Sequence, residues 1–336
     1  MGKIKLYSIS NFVLGALTII LNILFILVFK MQTKGLLLAN IIANFFTSFV
    51  VLFKLKFHKY VSRKDFSKSK LAEMIHYSFP LVFNNLSWLI ISFSDRLMLT
   101  WMVGSDENGI YSIANRFPNI IYTFYGFFST AWKESSARIV KEKNKLEYYN
   151  AIYKDMKTFL EAITIGLIAV MPFAFPIFIK SNYNAAYIYI PILSIGIYYT
   201  NMSNFYGGIF TAFKDTKVMG YTTVIGAVIN IGINLVFMKL FPNYGTLIAT
   251  LSTLISTLVV YVYRRIKLKQ YIKLEEKFNI AFWLLLALTL VLYYISNKIL
   301  CAIILVIVVG YCYYTNKTFL LGVWNTLTKR LKKSNE

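Results

Sequence analysis

Residues 78–101 read SFPLVFNNLSWLIISFSDRLMLTW, an apolar run that is long enough to cross a lipid bilayer as one helix. A spanning helix needs about 20 mostly apolar residues, and this run does not alternate as a half-buried strand would. Because the backbone finds no water in lipid, we expect the segment to be helical. Asp95 and Arg96 lie inside it, and such intramembrane charges are candidates for function.

Nine further segments of the same kind flank this run. Together they predict ten spanning helices, at 9–29, 36–53, 77–103, 109–132, 158–179, 187–213, 218–240, 244–263, 280–296 and 299–322. The composition agrees, because 57% of the 336 residues are hydrophobic and 15% are charged, whereas soluble domains carry about 25% charged residues. The sequence therefore predicts an all-α integral membrane protein.

The excess of basic residues follows the predicted membrane topology. Of the 36 lysines and arginines, 28 fall in alternate connections, at 1–8, 54–76, 133–157, 214–217, 264–279 and 323–336. Because basic loops remain in the cytoplasm, we expect both termini to face the cytoplasm across a bacterial inner (plasma) membrane. Topology thereby explains the net charge of +22, and no nucleic-acid partner is expected.

The short connections argue against an enzyme. The outer loops, such as 105–108, cannot hold a catalytic domain, and the cytoplasmic loops cannot hold a nucleotide-binding fold. The sequence lacks the Gly-x-x-x-x-Gly-Lys-Ser/Thr motif of an ATP-driven pump. Its two cysteines and two histidines do not have zinc-ligand spacing. We therefore expect no catalytic residue, no metal and no cofactor.

Three charged residues lie deep within the predicted spans: Asp95, Arg96 and Arg116. All lie roughly 10–12 Å below the outer helix ends at a rise of 1.5 Å per residue, so Asp95 and Arg116 are expected to meet. One interpretation is a structural ion pair, and the other is an arginine that faces a cavity and binds a phosphate through its planar fork. A nearby arginine would keep Asp95 ionised, which weakens a proton-coupling role.

Several other polar residues are supporting or coupling candidates. Asn230 and Asn234 are four positions apart and share one helical face. In lipid such amides either tie helices together or line a cavity. Glu161 is expected to face head groups or cytoplasmic loops, and Lys133 and Glu134 to form a pair at the membrane boundary. The supporting set is Asp95, Asn85, Asn201, Asn204, Asn230, Asn234 and Glu161.

Residues 78–101, followed by NGIYSIANRF at 108–117 and AWKE at 131–134, resemble the flippases of lipopolysaccharide (O-antigen) and capsule biosynthesis. These proteins belong to the multidrug/oligosaccharidyl-lipid/polysaccharide superfamily, and the resemblance covers residues 70–265. It implies a MATE-like fold, in which two six-helix bundles face a central cavity. It also implies that undecaprenyl-pyrophosphate-linked oligosaccharide moves from the inner to the outer leaflet.

The resemblance also implies site residues and partners. Arg96 and Arg116 would hold the pyrophosphate, and Asp95 would position one of them. The implied partners are the lipid-linked oligosaccharide, membrane lipids and polysaccharide assembly proteins.

The same resemblance divides the chain into four parts. Residues 77–263 would form a complete C-terminal bundle, and 1–53 the last two helices of the other bundle. Residues 54–76 would be a basic cytoplasmic linker, and 264–336 an extra helix pair with a basic tail. Because the architecture has four helices before this pair, we expect a truncated copy, a start placed at an internal methionine, or a second subunit that completes the cavity.

Two other functions remain open from the sequence. A multidrug or small-molecule exporter of the same superfamily would depend on a carboxylate in its cavity, whereas Arg96 and Arg116 favour an anionic cargo. An integral-membrane polysaccharide polymerase or ligase would need a sizeable outer loop, and the predicted outer loops are short.

Overall fold

The computed structural model describes residues 4–56, 66–179, 181–275 and 277–332, and within these ranges every regular element is a helix. The prediction of an all-α protein is therefore confirmed. The chain divides into two compact units, residues 1–71 and 72–336. His58 and residues 57–65 of the predicted basic linker lie outside the described residues.

The first unit is a helical hairpin of α1 (Ile4–Asn22), which continues as a π-helical turn over Ile23–Val28, and α2 (Gln32–Lys54). α2 buries a small residue at every fourth position, on one helical face: Gly35, Ala39, Ala43 and Thr47. Small side chains allow two helices to approach closely in lipid. At Gly35 the approach is tight, because an added Cβ would lie 3.0 Å from the Cβ of Phe25.

The second unit is a bundle that begins within α3. Its helices are α3 (Lys68–Met102), α4 (Ser105–Arg116), α5 (Pro118–Ile139), α6 (Lys145–Phe178), α7 (Ile190–Ala212), α8 (Thr216–Leu240), α9 (Gly245–Leu268), α10 (Ile280–Ile295) and α11 (Lys298–Lys332). Short 3₁₀ helices at Ser181–Tyr189 and Pro242–Tyr244 precede α7 and α9.

The span predicted at 109–132 is two helices, because α4 ends at Arg116 and α5 begins at Pro118. Proline has no N–H to donate to the carbonyl of Ala114, and its ring suits the first turn of a helix. The break lets the two helices take different neighbours. α4 packs against α9 and the turn at 181–189, whereas α5 packs along α7.

Two helices, α3 and α6, begin well before their predicted spans. α3 begins at Lys68 and α6 at Lys145, although their apolar runs begin at 77 and 158. At 1.5 Å per residue their 35 and 34 residues exceed the roughly 30 Å of a hydrocarbon core. Lysine and glutamate are good helix formers, so the charged flanks continue as helix beyond the apolar runs.

Side-chain contacts identify the two ends of the second unit. At the basic end, Lys214 in the α7–α8 turn pairs with Glu73 of α3 at 3.0 Å. Tyr271 donates to Asp215 at the same end, and this hydrogen bond raises the pKa of Tyr271 to about 12. At the far end, Thr246 of α9 donates to the carboxylate of Glu107.

The helix pair α10 and α11 packs against α6 and covers Glu161, which is 1% exposed. The Oε2 of Glu161 accepts from Asn279 Nδ2 at 2.8 Å, and Lys157 Nζ lies 3.6 Å from its Oε1. Asn279 Nδ2 also donates to the hydroxyl of Tyr311 at 2.8 Å. Of the two surroundings expected for Glu161, head groups or cytoplasmic loops, the structure shows a contact with Asn279 of the predicted cytoplasmic connection 264–279 and no exposure to head groups, because α10 and α11 bury it.

Six described helical segments are long and apolar enough to cross a membrane by composition: 9–28, 32–54, 145–178, 216–240, 242–268 and 298–318. α10 is apolar but shorter. α3, α5 and α7 do not meet this criterion, because α3 and α5 contain charged residues and all three contain several asparagine, serine or tyrosine residues.

Replacing Gly208 with alanine is expected to lower the free energy of unfolding by about 1–3 kcal/mol, the usual cost of overpacking a core. A Cβ at this position would lie 2.3 Å from Trp132 Nε1, which donates to the carbonyl of Phe205 at 2.9 Å. Thermal unfolding in detergent measures the effect. Gly126→Ala is the matched control, because nothing lies within 4 Å of its added Cβ. Equal losses in the two variants would contradict this packing.

Candidate functional site

The second unit contains a cavity of about 790 Å³. Its walls come mainly from α3, α5 and α7, with two residues each from α4 and α9 and one residue from α8. α3, α5 and α7 are the three long helices that are not apolar enough to count as membrane spans by composition. The polar residues of these helices line the cavity and so avoid lipid, which explains why the helices have a low hydropathy.

The two long walls are single faces of α3 and α5. The α3 wall is Tyr77, Leu81, Asn84, Asn85, Trp88, Ile91, Ser92, Asp95 and Arg96. The α5 wall is Asn119, Tyr122, Tyr125, Gly126, Ser129, Lys133 and Ala137. Residues three and four apart lie on the same side of a helix, so both patterns define a continuous stripe along the cavity.

Asp95 lies in the wall but is only 1% exposed. Its two carboxylate oxygens accept from five neutral side chains: Tyr111, Asn230, Asn234, Ser252 and Thr253. The shortest amide contact is 2.6 Å, from Asn234 Nδ2 to Oδ1. Five donors suit an ionised carboxylate, which can only accept hydrogen bonds. The cluster joins α3, α4, α8 and α9 around one buried charge.

The predicted ion pair of Asp95 with Arg116 is absent from the described residues. The ion pairs found in those ranges join Glu134 to Arg138, Glu161 to Lys157, and Glu73 to Lys214. The rise per residue predicts that Asp95 and Arg116 lie at the same depth, but it does not predict which way each side chain points around its helix. α4 instead presents Tyr111, whose hydroxyl donates to Asp95 at 2.6 Å.

The two candidate arginines occupy different places. Arg96 is exposed and lines the cavity, while the next residue towards the N-terminus, Asp95, is buried. Arg116 is exposed at the end of α4 and is not among the residues that line the cavity. Only Arg96 is thus brought to the cavity described in this unit.

The asparagine candidates also divide. Asn85 and Asn204 line the cavity, whereas Asn230 and Asn234 are fully buried against Asp95. Asn201 is fully buried outside the cavity wall, and neither of its amide atoms has a hydrogen-bond partner in the described part of the chain.

Arg264 is a functional candidate that the sequence did not indicate. It was counted with the basic loop 264–279, but it lies in the last turns of α9 and is fully buried. It donates to side chains and carbonyls on three other helices, among them Asn84 Oδ1 at 2.7 Å, Ser203 O at 2.9 Å and Thr222 Oγ1 at 3.1 Å. No carboxylate pairs with it within the described ranges.

The bond to Asn84 connects this buried charge to the cavity. Asn84 Oδ1 also accepts from Thr223 at 2.9 Å. The amide of Asn84 is thereby oriented so that its Nδ2 donates to Asn85 Oδ1 at 3.2 Å. The sequence signal for Arg264 was weak, because an Arg-Arg pair at the end of an apolar run is typical of a membrane boundary.

Two family models match the chain in overlapping parts. The model described as polysaccharide biosynthesis protein matches residues 1–132, and the MatE model matches residues 80–236. Two solved structures share the fold. A MATE protein in the bent conformation gives a TM-score of 0.62 at 15% identity, and the lipid II flippase MurJ in an inward closed conformation gives 0.62 at 16%.

The chain is therefore similar to polysaccharide biosynthesis proteins and to MatE proteins over the matched parts, and each match covers less than half of the chain. The prediction of a MATE-like all-α bundle is confirmed. At 15% and 16% identity, the two structures carry information about the fold alone.

The chain spans only part of its relatives. An uncharacterized membrane protein of Methanocaldococcus jannaschii is 24% identical over 247 residues, which are 70% of this chain and 58% of the relative. The alignments with the MATE and MurJ structures cover 80% and 94% of this chain, and 62% and 67% of those proteins.

Proposed function

We propose that this protein is a membrane transporter that moves an undecaprenyl-pyrophosphate-linked oligosaccharide, such as an O-antigen or capsule precursor, from the inner to the outer leaflet. The supporting observation is the charge of the cavity wall. Its charged residues are Arg96, Lys133 and Asp95, and of these only the two cations are exposed. Asp95 is buried and its oxygens are already bonded. The cavity therefore offers positive charge and hydrogen-bond donors to an anionic head group.

Arg96 is the proposed pyrophosphate ligand. A guanidinium presents a planar fork that donates two parallel hydrogen bonds to phosphate oxygens. It has no carboxylate partner in the described ranges, so no existing ion pair has to break when an anion binds. Arg116 would contact the same group only in a state that brings the end of α4 to the cavity.

Asp95 is the proposed coupling residue, with Asn230 and Asn234 as its supports. A carboxylate within the membrane is costly unless it is paired or serves a function, and no cation neutralises it in the described structure. The sequence-based objection was that Arg116 would keep Asp95 ionised. Because that pair is not formed, a proton or a small cation can neutralise Asp95 during a transport cycle. The role of Glu161 in coupling stays a weaker proposal, because Lys157 already compensates its charge.

The basic end of the second unit indicates how the protein is oriented in the membrane. We propose that the starts of α3 and α6 and both termini face the cytoplasm, since basic connections remain on that side. The polysaccharide assembly proteins would then meet the long charged parts of α3 and α6, at the side where lipid-linked sugars are made.

The multidrug exporter is disfavoured by the same cavity. A cationic drug needs an accessible carboxylate, and the cavity wall supplies none that is exposed.

The test uses cells that lack a native polysaccharide flippase. Expression of the wild-type chain should restore surface polysaccharide, and Arg96→Gln should lower it by roughly 10- to 100-fold. That range corresponds to the loss of a charged hydrogen bond worth about 1.5–3 kcal/mol. Arg96→Lys should retain an intermediate level. Arg138→Gln is the control, because the side chain of Arg138 is 65% exposed and outside the cavity.

Two results would contradict the proposal. One is a wild-type chain, present in the membrane, that restores no polysaccharide. The other is resistance to ethidium that depends on Arg96, since this would point to drug export.

A further inference from the structure

We propose that the cavity binds its anionic head group at two separate sites, Lys133 at the basic end and Arg96 towards the far end. This inference rests on the proposed function and assigns a new residue, Lys133, to it. The cargo would bind first at Lys133 and would then pass to Arg96.

Lys133 is free to bind an anion. The sequence suggested a pair of Lys133 with Glu134 at the membrane boundary, but Glu134 instead pairs with Arg138. Lys133 is exposed, lines the cavity, and has no ion pair or hydrogen bond in the part of the chain that the structure describes. The only acid in the wall, Asp95, is buried and already accepts five hydrogen bonds.

The position of Lys133 on α5 places it at the basic end. It lies 14 residues beyond Asn119 in the cavity stripe, which is about 21 Å at 1.5 Å per residue. Arg96 lies on the other side of Asn119, because its neighbour Asp95 contacts Tyr111 of α4. One pyrophosphate cannot bridge such a distance. The distance between the two side chains also exceeds the Debye length of about 8 Å at physiological ionic strength, so the two cations act independently.

Hydrogen-bond donors lie between the two cations. Arg264 and Thr223 both donate to Asn84 Oδ1, so Asn84 donates to Asn85 Oδ1 and leaves the Nδ2 of Asn85 available. The Asn85 amide is exposed and suits the hydroxyl and carbonyl oxygens of a sugar that is carried between the sites.

The two cations differ in a way that favours transfer in one direction. A lysine ammonium is a strongly hydrated point charge, whereas an arginine binds phosphate in two-point geometry. The Arg96 site should therefore hold the head group more tightly than the Lys133 site. The tighter site then lies nearer the proposed exit.

Binding of inorganic pyrophosphate to the purified protein in detergent tests the proposal. Equilibrium dialysis counts the bound equivalents in the wild type and in Lys133→Gln, Arg96→Gln and the double variant. Each single variant is expected to bind one equivalent less than the wild type, and the double variant two fewer. Lys133→Arg should still bind the equivalent that Lys133→Gln loses. Lys141→Gln is the matched control, because Lys141 is an exposed lysine at the same end and outside the cavity wall.

Several results would overturn the proposal. If Lys133→Gln retains every equivalent while Arg96→Gln loses one, this inference fails and the proposed function stands. If neither variant loses an equivalent, both fail. A double variant that loses only one equivalent would indicate a single shared site. Each variant's thermal unfolding temperature must equal that of the wild type, so that a loss reports binding and not folding.

A membrane lipid could supply the same phosphate chemistry. Dialysis is therefore repeated in nanodiscs of phosphatidylcholine, with and without phosphatidylglycerol. If phosphatidylglycerol removes the equivalent assigned to Lys133, that residue is an ordinary lipid contact and the proposal is wrong. An equivalent that persists supports a site for the cargo.

Discussion

Replacing Arg264 with methionine is expected to lower the free energy of unfolding by about 3 kcal/mol. Its guanidinium makes five hydrogen bonds to α3, α7 and α8, and hydrogen bonds between membrane helices average about 0.6 kcal/mol each. Methionine fills a similar volume but leaves these buried acceptors without donors. Thermal unfolding of the purified protein in detergent measures the loss.

Arg138→Met is the control for this experiment. It removes the same group from an exposed surface ion pair, and such pairs are worth about 0–1 kcal/mol. Arg264→Lys should recover part of the stability, because it keeps the charge but not the fork. If Arg264→Met unfolds at the same temperature as Arg138→Met, the buried network does not hold these helices together.

Replacing Asp95 with asparagine is expected to lower transport at least tenfold and to abolish its dependence on an ion gradient. Tenfold corresponds to about 1.4 kcal/mol, a modest figure for the loss of a buried charge. Asparagine has the same shape and still accepts hydrogen bonds at one oxygen, so the fold should survive. Uptake into proteoliposomes with an imposed proton or sodium gradient measures both quantities.

Asp106→Asn is the matched control, because Asp106 is an exposed acid in the first turn of α4. It should transport like the wild type. An Asp95→Asn variant that transports at the wild-type rate and still responds to the gradient would show that Asp95 only holds the helices together.

The sequence predicted the helices well because span length and charge are local properties. The run 78–101 lies in α3, and Asp95 and Arg96 lie about two turns before the end of that helix at Met102. The break at Phe117 was available in the sequence too, since Pro118 favours the first position of a helix.

Helix rotation and long-range packing could not be predicted in this way. Arg96 faces the cavity while Asp95 faces Asn230 and Asn234, and this difference depends on how α3 is turned against α8. Arg264 was assigned to a loop because charge counting ignores the carbonyls that a neighbouring helix can offer. The burial of Glu161, which was expected to face head groups or cytoplasmic loops, could not be predicted because the docking of α10 and α11 on α6 involves residues more than a hundred positions away.

Flipping of a labelled undecaprenyl-pyrophosphate oligosaccharide in proteoliposomes tests the central claim most directly, namely that the cavity carries an anionic lipid-linked sugar. The measurement compares the wild type, Arg96→Gln and protein-free vesicles, with a neutral analogue that lacks the pyrophosphate. The account predicts that the wild type moves the charged lipid at least tenfold faster than protein-free vesicles, and that the Arg96→Gln variant and the neutral analogue lose this gain. A wild-type rate equal to that of protein-free vesicles, or equal rates for the charged and neutral lipids, would contradict it.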